Sequence, residues 1–227
     1  MLAINLLTVC TEKYPLLYAE KIIKRMLQVS NLNITSYCLT DRPHEINGWA
    51  KSLPRKIDAK GWWNKTLLFD PEMPAGWNVY LDIDIVILKN FDEEIRFAIA
   101  QARQIAAVSD AVGWMNQKFS SSLMIFKTGA LANIFHEFCK APEALYDRPG
   151  GDQVWMGPYL DDVCYLDETY PNLKRNLKFH IAARKGNDLI IPTEISDQIK
   201  SVDCTGQPKP HELAAVPYIY ANWHMVR

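Results

Sequence analysis

Charge of one sign, paired cysteines and long apolar runs are all missing from this chain. Its 25 basic residues stand against 26 acidic ones, a net charge of -1 with no long single-sign run. That leaves no electrostatic footprint for nucleic acid or for an anionic membrane surface. The five cysteines, Cys10, Cys38, Cys139, Cys164 and Cys204, are odd in number and widely spaced, and show neither C-x-x-C nor Cys/His metal spacing. Reduced thiols in a cytoplasmic protein are therefore expected rather than a disulfide framework. The opening stretch Met1 to Cys10 has no basic n-region and is too short and too polar at its end for a signal peptide or integral membrane anchor; it reads as a first strand. None of the five histidines falls at H-x-x-x-H spacing, so none is claimed as a zinc ligand.

What is present suffices for a core. A chain of 227 residues with 48% hydrophobic content can fold as one domain over 1–227, and no repeat or low-complexity segment argues for more. Strand-like 3–9, helical 15–29 with apolar Leu16, Leu17, Ile22, Ile23, Met26 and Leu27, and strand-like 34–40 make a βαβ opening. An amphipathic stretch follows at 62–69, a strand from 79 to 88, helices at 91–103, 129–140 and 152–160, and strands at 105–109 and 121–126. This alternation predicts an α/β fold with a mostly parallel sheet flanked by helices and a ligand at its carboxyl edge. Beyond Asp161 the pieces shorten between Pro and Gly. A nucleotide-binding half over about 1–110 and a loop-rich acceptor or lid half over about 111–227 are expected.

Within the apolar run Tyr80 to Leu88 stand Asp82 and Asp84. If the chain stays extended, both point to one face, and two poorly hydrated carboxylates call for a cation. Hard oxygen ligands suit Mg²⁺ or Mn²⁺. The alternative is a strand end at which one carboxylate caps a turn and the other is solvated. Two further segments are unusual in their polarity. In Asp203 to Pro210 a carboxylate and Gly206 precede Lys209, which two prolines hold, as a diphosphate-binding ammonium would need; a surface turn is the alternative. Gly150-Gly151-Asp152-Gln153 reads as a helix start with Asp152 as N-cap.

In this order the segments resemble the GT-A glycosyltransferases, most closely the family 8 galactosyltransferase-like group. Asp82-Ile83-Asp84 stands where that family has its D-x-D, and Phe119 to Met124 resembles its F-N-S-G-V-M strand. Gly151-Asp152-Gln153 matches its D-Q segment, and Asp203-x-x-Gly206-x-x-Lys209-Pro210 its H-x-x-G-x-x-K-P element. The resemblance implies a metal-dependent hexosyltransferase that takes a nucleotide-sugar, a UDP-sugar, to a carbohydrate or other hydroxyl acceptor with retention. It implies that Asp82, Ile83 and Asp84 bind metal and diphosphate, that Gly206 and Lys209 bind the diphosphate, and that Asp152 and Gln153 hold the donor sugar at its reacting carbon. Lys65 would reach a phosphate or the sugar, and Thr8 with the loop after it would touch the nucleoside. This chain departs from the family at several places: Asp203 replaces the metal-binding His as the expected third ligand, Ser120 and Ser122 replace an Asn and a Gly in the F-N-S-G strand, and His211 stands where a Trp is usual. A degenerate nucleotide-sugar or glycan binding protein is the alternative. A nucleotidyltransferase should carry a Gly-rich basic signature after the first strand, which 8–13 lacks. Trp49, Trp62, Trp63 and Trp114 are candidates for stacking on a sugar or base, with Trp77 read as packing, and His224 is expected either to close over the site or to fray with the terminus.

Overall fold

The computed structural model describes residues 2–11, 13–102, 104–111, 113 and 117–226; Trp114 and Arg103, the expected end of a helix, lie outside them. The first strand, β1 (Ala3–Val9), leads into α1 (Leu17–Val29), and β2 (Asn33–Leu39) returns parallel to β1. Residues Tyr18, Ala19, Ile22, Ile23 and Met26 recur at helical spacing and form the buried face of α1. After a short β3 (Lys51–Leu53), the stretch expected to be amphipathic forms a 3₁₀ helix over Gly61–Phe69. Then come β4 (Trp77–Leu81), β5 (Ile85–Ile87), α2 (Asp92–Gln101), β6 (Ile105–Ser109), β7 (Phe119–Lys127), α3 (Ala132–Lys140), α4 (Gly151–Met156) and β8 (Val163–Tyr165).

The main sheet has the order β3-β2-β1-β4-β7-β6-β8, with β7 antiparallel to both its neighbours and the other pairings parallel. The mixed α/β architecture with a mostly parallel sheet is the one expected. Its two faces bury separate clusters. Trp63, Leu67, Phe138 and Trp155 lie under the 3₁₀ helix, α3 and α4, while Ile22, Met26, Ile95 and Ile125 lie under α1 and α2. Each such large side chain contributes roughly 1.5–3 kcal/mol when fully buried. The later segment adds β9 (Arg175–Asn176), the hairpin of β10 (Ala183–Lys185) and β11 (Asp188–Ile190), and β12 (Ser201–Asp203).

One expectation fails here, and it positions the site. The apolar run 79–88 is two strands in two sheets. β4 ends at Leu81, Asp82 N donates to Ser122 O at 2.8 Å, and Ile85 N donates to Asp82 O at 3.2 Å, a turn that passes the chain from the main sheet to a small sheet of order β5-β12-β9. Had 79–88 stayed in one buried sheet, both carboxylates would have met an apolar layer; the turn brings them to the sheet's edge instead. On the partner strand, the β6–β7 register shifts between Ala107 and Val108, which pair with Met124 and Ser120, so Ser121 to Leu123 are unpaired on the β6 side, while Leu123 still pairs with Leu81 of β4.

The chain's last described turns pack down rather than fray. Trp223 is buried against Tyr18 at 5.1 Å between ring centroids, Lys21 Nζ donates to Val226 O at 2.9 Å, and His224 Nε2 is 3.1 Å from Pro210 O. Among the described residues no helix is long and apolar enough to cross a membrane.

Candidate active site

Three carboxylates collect around the 82–84 turn, and each faces a lysine. Lys65, carried by the 3₁₀ helix, places Nζ 2.9 Å from both Asp82 oxygens, 3.1 Å from Ser121 Oγ and 3.8 Å from Asp152 Oδ2. Lys209 Nζ is 2.5 Å from Asp84 Oδ2, and Lys174 Nζ is 2.8 Å from Asp203 Oδ2 and 2.6 Å from Ser122 Oγ. Asp203 reaches this cluster because β12 runs antiparallel to β5 with Asp203 opposite Ile85, while Cys204 N donates to Asp84 O at 3.1 Å. The sequence-predicted residues Lys65, Asp82, Asp84, Asp152, Asp203 and Lys209 are thus brought together.

Electrostatics follow from crowding. Burial pushes the pKa of Asp82 up against the pull of Lys65 and of the Tyr80 hydroxyl, which donates to Asp82 Oδ1. Burial, with Asp203 and Asp82 as like-charged neighbours, also raises Asp84. Asp203 goes the other way: burial alone would raise it, but Lys174 and the hydrogen bonds from Lys174 and Thr205 hold it low. Burial would lower the Lys65 ammonium's pKa, yet Asp82 and Asp152 outweigh it and keep the group charged.

The D-Q segment starts one residue earlier than expected. Gly151 opens α4 behind Gly150 in a left-handed conformation, so Asp152 lies in the first turn and is not the N-cap. Gly151 itself has φ +63°, and a Cβ there would meet Trp62 Nε1 at 2.7 Å. The half-exposed indole of Trp62 (53%) therefore abuts the segment, while Trp63 is buried in the core of that sheet face, and Trp49 and Trp77 pack against the core of the opposite face. Asp152 Oδ2 is buried and accepts no hydrogen bond from the described residues, an orphaned oxygen facing Lys65 at 3.8 Å. Gln153 Nε2 donates to Asp110 Oδ2 at 3.2 Å, and Asp110 lines a cavity of about 210 Å³ with Ser109, Lys174, Asn176 and His180.

Thr8 is fully buried in β1. Ile83 is 8% exposed and packs with Cys10, Val86 and Leu177, so only its backbone is offered to a ligand. Gly206 adopts φ +77°, and Lys178 Nζ stands where its side chain would be. Lys174, Tyr80, Ser121 and Asp110 were not singled out from the sequence. Lys174 sits in a short segment without periodicity, and nothing local links it to Asp203, 29 positions away.

The chemistry of the donor set suits a hard divalent cation at Asp82 and Asp84. Among the described residues no group of three His, Cys, Asp or Glu side chains is gathered to hold a metal ion. Both Asp82 oxygens are engaged, whereas Asp84 Oδ1 accepts no hydrogen bond from the described residues.

No protein-family model matches this chain, and no curated protein matches it in sequence. Its fold, however, is shared with solved structures. An active-site mutant of LgtC is 14% identical with a TM-score of 0.59, covering 91% of this chain and 89% of that one. The galactosyltransferase LgtC in complex with donor and acceptor sugar analogs is again 14% identical, with a TM-score of 0.57, over 91% and 88%. The glycosyltransferase GlyE of Streptococcus pneumoniae TIGR4, at 12% identity and a TM-score of 0.62, covers 98% of this chain, which spans only 62% of GlyE's length. Mouse xyloside xylosyltransferase 1 in its apo form is 10% identical, with a TM-score of 0.57, over 91% and 98%. The fold is that of the GT-A glycosyltransferases.

Proposed function

We propose that this GT-A-fold chain is a glycosyltransferase that moves a hexosyl residue from a nucleotide-sugar, a UDP-sugar, to a hydroxyl of a carbohydrate acceptor with retention at the anomeric carbon. The observation that carries the reading is the orphaned oxygen of Asp152 facing Lys65 and Asp82 at the sheet's edge. A buried carboxylate oxygen without a donor is costly, and sugar hydroxyls are donors that would satisfy it.

In this reading Asp82 and Asp84 would hold Mn²⁺ or Mg²⁺ together with the donor's diphosphate. The bound cation supplies neutralisation of the charge that grows on the departing nucleoside diphosphate. Lys209 and the backbone at Gly206 bind the diphosphate, with the 82–84 backbone, including Ile83, alongside. Lys65 bridges phosphate and sugar. Asp152 and Gln153 orient the sugar at its reacting carbon, and the acceptor hydroxyl enters from the 210 Å³ cavity beside Gln153's partner Asp110. The loop after β1 receives the nucleoside. Five free thiols suit a cytoplasmic setting.

A non-catalytic nucleotide-sugar or glycan binder is the second reading, favoured by the lysine already on each carboxylate. One screen separates the two: nucleotide-sugars with Mn²⁺, following release of nucleoside diphosphate. Release that vanishes in Asp84→Ala supports the transferase; tight UDP binding with no release from any donor, with or without acceptor sugars, supports the binder.

A further inference from the structure

We infer that Asp203 is the anchor of Lys174 rather than a ligand of the divalent cation, and that the Lys174 ammonium, held between Asp203 and Ser122, is a fixed positive charge beside the acidic turn. The inference rests on the proposed metal-and-diphosphate reading of the 82–84 turn and assigns the roles within it.

Asp203 has no oxygen to spare. Oδ2 takes the Lys174 ammonium at 2.8 Å, while Oδ1 accepts from Thr205 N at 2.9 Å and from the Thr205 hydroxyl. Both partners of the ion pair are buried, Asp203 at 3% and Lys174 at 8% exposure. A cation seated on Asp203 would have to displace the buried ammonium from its partner, or sit beside it at like charge in a poorly hydrated place. Asp84 Oδ1, by contrast, accepts no hydrogen bond from the described residues.

Lys174 is also tied into the machinery on its other side. Its Nζ donates to Ser122 Oγ at 2.6 Å; Ser122 Oγ is 2.9 Å from Ser120 Oγ, and the Ser122 carbonyl receives Asp82 N. The ammonium therefore bridges β12 and the serine segment of β7 that holds the start of the acidic pair. An ammonium has three N–H donors, and two are used.

The test uses Mn²⁺ alone, without nucleotide, titrated calorimetrically and by Mn²⁺ spin resonance into the full chain and three variants. Asp203→Asn should keep the wild-type Mn²⁺ affinity. Lys174→Met, which frees the Asp203 carboxylate, should bind Mn²⁺ about tenfold tighter and be raised in melting temperature by it, while Lys174→Met/Asp203→Asn should lose both gains. The inference is overturned if Asp203→Asn weakens Mn²⁺ binding about tenfold, as loss of a true ligand would, or if Lys174→Met leaves it unchanged. If Lys174→Met does not fold, the Asp203→Asn comparison alone decides in the same terms. Failure of UDP and Mn²⁺ to bind the wild type together would sink the transferase reading but leave this metal-only comparison standing.

Discussion

Lys65 stands 2.9 Å from Asp82 although 17 positions separate them, and its ammonium is shared with Asp152, 3.8 Å away. One cation thus links the 3₁₀ helix, the turn between the two sheets and the start of α4. A ligand that competes for Lys65 loosens all three at once.

Replacing Lys65 by Met should leave Asp82 and Asp152 facing each other without a counter-charge. The expected loss is about 1 to 3 kcal/mol of stability, which for a chain of this size is a fall in Tm of roughly 2–4 °C per kcal/mol. Thermal unfolding measures it. An unchanged Tm would mean that solvent already screens the pair.

Gly151→Ala forces a side chain into a positive-φ residue and against Trp62 Nε1. Strain of this kind costs about 1–3 kcal/mol. Gly48→Ala, at φ +80° but with nothing within 4 Å, should cost less. Urea midpoints for the two variants compare them, and equal losses would show that the indole moves aside freely.

Gln153→Ala removes the hydrogen bond to Asp110 beside the cavity. Because the contribution is expected at the reacting sugar, kcat should drop roughly 100-fold while the Kd for UDP changes less than about threefold. The opposite pattern, normal turnover with weak UDP binding, moves this side chain to the nucleotide.

Thiol reactivity tests the fold itself. Burial pushes Cys10 up to about 12 and Cys38 up to about 11, and raises Cys204 as well. A raised thiol pKa depletes the thiolate below it, so at pH 8 the Cys10 thiolate fraction is on the order of 10⁻⁴. Iodoacetamide at pH 8 should therefore label Cys139 and Cys164, which are partly exposed, well before the other three, with the order read by mass spectrometry. Early labelling of Cys10 would contradict the packing of β1 against α1.

The βαβ opening was legible because its signals are local. The helical spacing of Ile22, Ile23 and Met26 and the strand run Ala3 to Val9 state their structure within one window. So were most of the polar residues that gather at the site, since Asp82, Asp84 and Lys209 are conspicuous in apolar or Pro-bound surroundings. The break at Asp82 was not legible. An apolar run with two carboxylates fits one strand or two, and the choice depends on β7 releasing the chain at Leu123 and β12 receiving it at Ile85.

The sequence by itself determined the alternation of strands and helices, the near balance of acidic and basic residues, and which carboxylates would need a counter-charge. Tertiary structure alone decided which counter-charge each received. Lys65, Lys174 and Lys209 are three of many lysines, and nothing in their neighbours names Asp82, Asp203 and Asp84 as their partners. Pairing across the chain depends on which side chains the fold brings within a few ångströms in a poorly hydrated place, where an ion pair gains most and an uncompensated charge costs most. Local patterns carry no record of that proximity.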